Sequence, residues 1–179
     1  MGAGNIFLVG MMGAGKTTIG RALAERLGRE FVDTDRLLVE RTGVPVRTIF
    51  EIEGEEGFRR RESAVLAELA ARDALVVATG GGAVLAEANR TLMRSRGTVV
   101  YLRARLESLW ERTRRDTNRP LLATADPKAT LAALLAERDP LYHEAAHVVV
   151  DTGAQSAATL VARLLAALKR HEAHSGASA

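Results

Sequence analysis

Short runs of consecutive apolar residues alternate along this chain with longer stretches in which apolar residues return every three or four positions. The runs have the length of buried strands, and the stretches mark one face of helices. Ile6-Phe7-Leu8-Val9 is the first run, and Ile19, Ala22, Leu23 and Leu27 follow it at helical spacing. The pattern predicts strands at residues 5–9, 30–33, 75–79, 98–102 and 147–151. It predicts helices at about 16–27, 35–42, 46–52, 55–71, 86–96, 105–115, 129–145 and 156–170. Strands alternating with helices specify an α/β domain with a mostly parallel sheet. In the last helix Leu160, Val161, Leu164, Leu165 and Leu168 form a stripe suited to core packing. Residues 171–179 are small and polar and are expected to be a disordered tail, which leaves one domain over residues 1–170.

Composition narrows the class without naming a function. The 179 residues are 47% apolar and 26% charged, as in a globular domain with a real core. There is no cysteine, which excludes a disulfide framework and a thiolate zinc site. The N-terminus shows no signal-peptide pattern and no apolar run approaches a membrane span, so a cytoplasmic location is the expectation. The net charge of +3 is small for a nucleic-acid binder and compatible with handling several phosphates. No pair among His143, His147, His171 and His174 has convincing metal spacing.

Chemistry enters with Gly10-Met11-Met12-Gly13-Ala14-Gly15-Lys16-Thr17, which matches G-x-x-x-x-G-K-[ST] at every fixed position. The match lies between the first strand and the first helix. Glycines there let backbone N–H groups turn inward around phosphate oxygens, and the helix N-terminus adds partial positive charge. Lys16 can reach the β- and γ-phosphates, and the Thr17 hydroxyl can ligate Mg²⁺. The donor is therefore a nucleoside triphosphate. The acceptor is not specified by this loop.

Further along, Asp33-Thr34-Asp35 follows the second strand, where ligands bind in open α/β sheets. One carboxylate can hold magnesium through water and the other can accept a proton from an attacking hydroxyl. Asp35 as a simple helix N-cap is the competing reading. Arg59-Arg60-Arg61 cannot all face one way on a helix. One can offer its fork to a carboxylate, while a solvated face paired with Glu55, Glu56 and Glu62 is the alternative. Gly80-Gly81-Gly82 after the third strand suits close approach of backbone to a ligand, or else a flexible turn. No acid follows that strand, so the metal duty falls to Asp33. Residues 112–122 combine four arginines with a proline and read as a segment closing over phosphates, or as a nucleic-acid patch poor in aromatics. Within it Arg119 could stabilise the transferred phosphoryl group. Arg138-Asp139-Pro140 lies in a helix interrupted or bent at Pro140, with Arg138 either a second clamp or a surface charge.

Taken in order, G-M-M-G-A-G-K-T, D-T-D, G-E-E-G-F-R-R-R-E, G-G-G-A-V, R-P-L-L and R-D-P-L-Y resemble the shikimate kinase family from Asn5 to about Leu168. The resemblance implies a three-layer P-loop kinase fold, a five-stranded parallel sheet in the order 2-3-1-4-5 flanked by helices. It implies transfer of the γ-phosphoryl of ATP to the 3-hydroxyl of shikimate, a step toward chorismate and the aromatic amino acids. It assigns Asp35 as the base on the acceptor hydroxyl, within an acceptor region at about 33–61. Arg59 and Arg138 hold the shikimate carboxylate, with Gly81 lining that pocket. Gly13, Ala14, Gly15, Lys16, Thr17 and Thr18 take the nucleotide. Lys16 and Arg119 stabilise the phosphates, Arg119 from a lid at about 112–124. Thr17 ligates Mg²⁺ directly and Asp33 through water. Gln155 stands on the adenine side, and a monomer is implied.

Two other functions fit the loop alone. Another small-molecule kinase, acting on gluconate or a nucleoside, shares its donor chemistry. A nucleotide-dependent switch or nucleic-acid-dependent ATPase is the alternative from a different class, although the chain has no spare length for an added helix-turn-helix module.

Overall fold

Five parallel strands form one sheet in the order β2-β3-β1-β4-β5. The computed structural model describes residues 4–177; the outermost ends of the expected domain and tail lie outside the described residues. The central strand is β1 (Asn5–Val9), buried at every position. It pairs with β3 (Leu75–Ala78), Phe7 opposite Val77, and with β4 (Gly97–Ala104), Phe7 opposite Val99. β2 (Glu30–Asp33) and β5 (Val148–Thr152) are the edges. β1 and β3 are buried on both faces, which explains the continuous apolar runs that mark them in the sequence.

The helices are α1 (Lys16–Leu27), α2 (Thr34–Thr42), α3 (Val46–Ala70), α4 (Glu87–Arg96), α5 (Leu106–Thr113), α6 (Pro127–Ala145) and α7 (Ala157–Gly176). α1 packs with α7, while α4 packs with α3 and α6, so the sheet is sandwiched between helical layers. The fold expected from the family resemblance is thus the observed one, down to strand order.

Some boundaries differ, each for a local reason. Helices expected at 46–52 and 55–71 form one element, but Gly54 breaks it with φ 70° and ψ 179°, so the two halves meet at a kink. α6 begins earlier than expected because Asp126 accepts the Ala129 N–H at 3.1 Å and Pro127 takes the first turn. It also runs through Pro140 without interruption. The expected disordered tail is helical up to Gly176. The apolar stripe ends at Leu168, but the polar residues after it still favour a helix. Ser175 there donates to the His171 carbonyl at 3.0 Å.

The order 2-3-1-4-5 sends the chain from β1 to opposite sides, which opens a crevice beyond the carboxyl ends of the central strands. Into it run Gly10–Lys16 after β1, Asp33 at the end of β2 and Thr79–Gly82 after β3.

Candidate active site

The glycine loop after β1 has a backbone that side chains would block. Gly13 and Gly15 stand at φ 80° and 94°, and Gly15 is the N-cap of α1. A Cβ at Gly10 would lie 2.6 Å from the Leu102 carbonyl oxygen of β4. Ala14 is buried, and its N–H closes a turn onto the Met11 carbonyl at 3.1 Å. Lys16 folds back over the loop and donates from Nζ to the carbonyls of Gly10 at 2.6 Å and Met11 at 2.8 Å. Desolvation lowers its pKa to about 8, against the pull of Asp35.

Beside it, Thr17 donates from Oγ1 to Asp33 Oδ2 at 2.6 Å. Asp33 uses its other oxygen to cap α2, where Oδ1 accepts the N–H groups of Asp35 at 3.0 Å and Arg36 at 3.2 Å. The cap is therefore Asp33, and the reading of Asp35 as the cap is overturned. Released from that role, Asp35 has an Oδ1 that is buried and lacks a hydrogen-bond partner among the described residues. Burial pushes its pKa up, with the Asp33 charge adding to the effect.

The three arginines of α3 separate as helical geometry requires. Arg60 pairs with Glu56 and Arg61 with Glu53, both near the surface. Arg59 turns inward, its Nη1 3.0 Å from Glu62 Oε1 and its Nη2 3.3 Å from Glu55 Oε1. Glu62 is buried rather than solvated, and burial raises its pKa. Arg138 is not a surface charge either: it is 2% exposed and its Nε has no partner among the described residues.

The three glycines after β3 hold these groups apart. A Cβ on Gly80 would fall 2.4 Å from Glu62 Oε2 and 3.0 Å from Asp35 Oδ1. One on Gly82 would strike the Arg59 guanidinium at 2.3 Å. Gly81 lies between the Arg138 guanidinium and the phosphate loop at Gly10 and Met12. At Gly80 and Gly82 these are close approaches, not a flexible turn, whereas a Cβ at Gly81 would make ordinary contacts.

Gly13, Gly15, Lys16, Thr17, Thr18, Asp33, Asp35, Arg59, Gly81, Arg119 and Arg138 all line one cavity of about 450 Å³. Arg119 lies between α5 and α6 and its Nε donates to Asp116 at 2.8 Å. The cavity also takes Val46, Phe50 and Phe58 as an apolar wall, and Pro120 and Leu121 beside Arg119. Sequence reasoning missed that wall, although Phe50 and Phe58 lie on the inner faces of helices it recognised. It also missed Arg112 as a tie, which donates to the carbonyls of Gly13 at 2.9 Å and Gly153 at 3.2 Å. Gln155 is outside this cavity. It lines a neighbouring one of about 830 Å³ between α6 and the end of β5.

Among the described residues no three His, Asp or Glu side chains gather as a metal cage. The Thr17 hydroxyl and Asp33 carboxylate are hard oxygen donors side by side, which suits Mg²⁺ held partly by water and phosphate.

A profile of the shikimate kinase family matches residues 12–169. The chain belongs to the shikimate kinase family. Its members are kinases that take their phosphoryl group from ATP. A shikimate kinase of Bordetella pertussis is 62% identical over 167 residues, covering 93% of this chain and 79% of its own length. One from Chromobacterium violaceum is 56% identical and covers 91% of this chain and 89% of its own. A solved shikimate kinase of Acinetobacter baumannii, in complex with shikimate, superposes with a TM-score of 0.89 at 52% identity, covering 91% of each chain. A gluconokinase of Sinorhizobium meliloti, 24% identical with a TM-score of 0.60, shares the fold alone; it covers 94% of this chain and 93% of its own.

Proposed function

We propose that this protein transfers the γ-phosphoryl group of ATP to the 3-hydroxyl of shikimate, giving shikimate 3-phosphate and ADP. The observation that carries the proposal is the single cavity in which the phosphate loop, an unpartnered aspartate oxygen, the half-buried Arg59 and the buried Arg138 face one another. A small carboxylated polyol needs those groups: arginine forks for its carboxylate and a base for its reacting hydroxyl.

In this mechanism Asp35 accepts the proton of the attacking hydroxyl through Oδ1. Its raised proton affinity makes it a stronger base than an exposed aspartate. Arg59 and Arg138 orient the acceptor by its carboxylate, with Gly81 beneath it. Arg59 is aimed by Glu62, which fixes one of its two Nη atoms. Lys16 and Arg119 offset the charge that spreads over the phosphoryl oxygens, and Gly13 to Thr18 hold the nucleotide phosphates. Mg²⁺ held by Thr17 and Asp33 would neutralise phosphate charge when bound. Arg112 bridges the phosphate loop and Gly153, and we assign it with Gln155 to the adenine side of ATP. Closure of the Arg119 segment excludes water, which would otherwise take the phosphate. The family resemblance points to a monomer, and the ATP requirement suits the cytoplasm.

A coupled ADP-release assay across shikimate, gluconate and nucleosides tests the proposal, with the product's phosphate position read by phosphorus NMR. Turnover should be confined to shikimate and should require Mg²⁺. Turnover of gluconate or a nucleoside with none of shikimate would overturn it.

A further inference from the structure

The triple-glycine loop lies against Asp35, Glu62, Arg59, Arg138 and the phosphate loop, yet glycine has no side chain with which to hold its own position. Two buried hydroxyls hold it. Thr34, the residue between the two aspartates, accepts the Gly80 N–H on Oγ1 at 3.1 Å and is 1% exposed. Tyr142 on α6 donates from its hydroxyl to the Gly81 carbonyl at 2.6 Å and is fully buried. Upstream, Thr79 fastens the start of the loop to β1, its N–H and hydroxyl both donating to the Leu8 carbonyl at 3.1 and 2.9 Å.

The two hydroxyls come from two of the three motifs that supply the acceptor groups, those of Asp35 and Arg138. Thr34 is the neighbour of Asp35. Tyr142 lies one helical turn beyond Arg138, so both reach the same side of α6. Tyr142 is itself braced by the Tyr101 ring, whose centroid is 4.9 Å away, and Tyr101 donates to Asp139 at 2.7 Å. A shift of the loop would move Gly80 against Asp35 and Glu62, Gly81 against Arg138 and the phosphate loop, and Gly82 against Arg59.

We propose that Thr34 and Tyr142 are positioning residues: their hydroxyls pin the Gly80–Gly82 loop from both sides and so set where the acceptor lies relative to Asp35 and the phosphate loop. Neither need touch a substrate. The inference rests on the acceptor reading given above.

Steady-state kinetics on Tyr142→Phe, Thr34→Val and Thr34→Ser test it, with thermal melting of each. Loss of either hydroxyl should raise the KM for shikimate about tenfold, the scale of one buried hydrogen bond. The KM for ATP should stay within about twofold. Thr34→Ser keeps the hydroxyl and should restore the wild-type KM. Should Thr34→Val not melt cooperatively, Thr34→Ala replaces it. A shikimate KM unchanged in both hydroxyl-deleted variants would overturn the inference, as would an ATP KM rising in parallel or a serine variant no better than valine. If wild-type protein does not phosphorylate shikimate, the acceptor reading itself fails, which the variants cannot mimic.

Discussion

At the scale of single residues, the two aspartates after β2 divide their labour by hydrogen bonding. Asp33 is engaged on both oxygens, by the Thr17 hydroxyl on one and two α2 N–H groups on the other. Asp35 keeps an oxygen free inside the cavity. Asp35→Asn should therefore lower kcat by roughly a hundredfold to ten-thousandfold, the range of general-base catalysis, while the KM for ATP barely moves. Steady-state assays read both, and an unchanged kcat would return Asp35 to a structural role. Lys16 carries a second prediction. Its pKa of about 8 means that it is a cation below that pH and loses its proton as pH rises through it. Phosphate binds the cation. ADP affinity measured calorimetrically should be flat below about pH 8 and weaken above it, with proton uptake on binding.

Elements fix what the residues can reach. The kink at Gly54 lets the second half of α3 swing Arg59 and Glu62 toward the sheet, while the first half brings Phe50 against Phe58, ring centroids 4.7 Å apart. Gly80 and Gly82 after β3 are glycine because neighbours fill the space of their side chains. Gly82→Ala should push the Arg59 guanidinium aside without disturbing the sheet, since the obstructing atoms are the end of a long side chain. The expected result is a shikimate KM raised about tenfold or more with little loss of melting temperature. Kinetics and melting measured side by side check it. The pattern G-G-G was visible in the sequence. Which atoms required it was not, because Glu62, Asp35 and Arg59 reach that loop from two other elements.

For the whole molecule, building a site in the crevice of the sheet buries carboxylates, and buried charge opposes folding. Asp35 titrates above its ordinary value of 3.8, so its ionised form costs stability that is restored as pH falls toward that value. Asp35→Asn should thus melt at a higher temperature than the wild type near neutral pH, and the gap should narrow as pH is lowered toward 3.8. Differential scanning calorimetry across that range decides it. Burial of this kind is a property of the assembled sheet and helices, and it marks the limit of what was legible beforehand. The five strands, most helices and the phosphate loop were legible along the chain, because apolar periodicity and glycine spacing act through neighbouring residues. The motif resemblance also named Asp35, Arg59, Arg119 and Arg138. The Asp33 cap is a local bond that the chain pattern left open, whereas the burial of Glu62 and Arg138, the separation of Gln155 and the loop held between Thr34 and Tyr142 come from assembly of the fold. The latter depend on contacts between residues as far apart as 61 positions, as in the bond from Tyr142 to Gly81. Such contacts exist only once parallel strands and their crossovers have brought distant segments to one edge of the sheet.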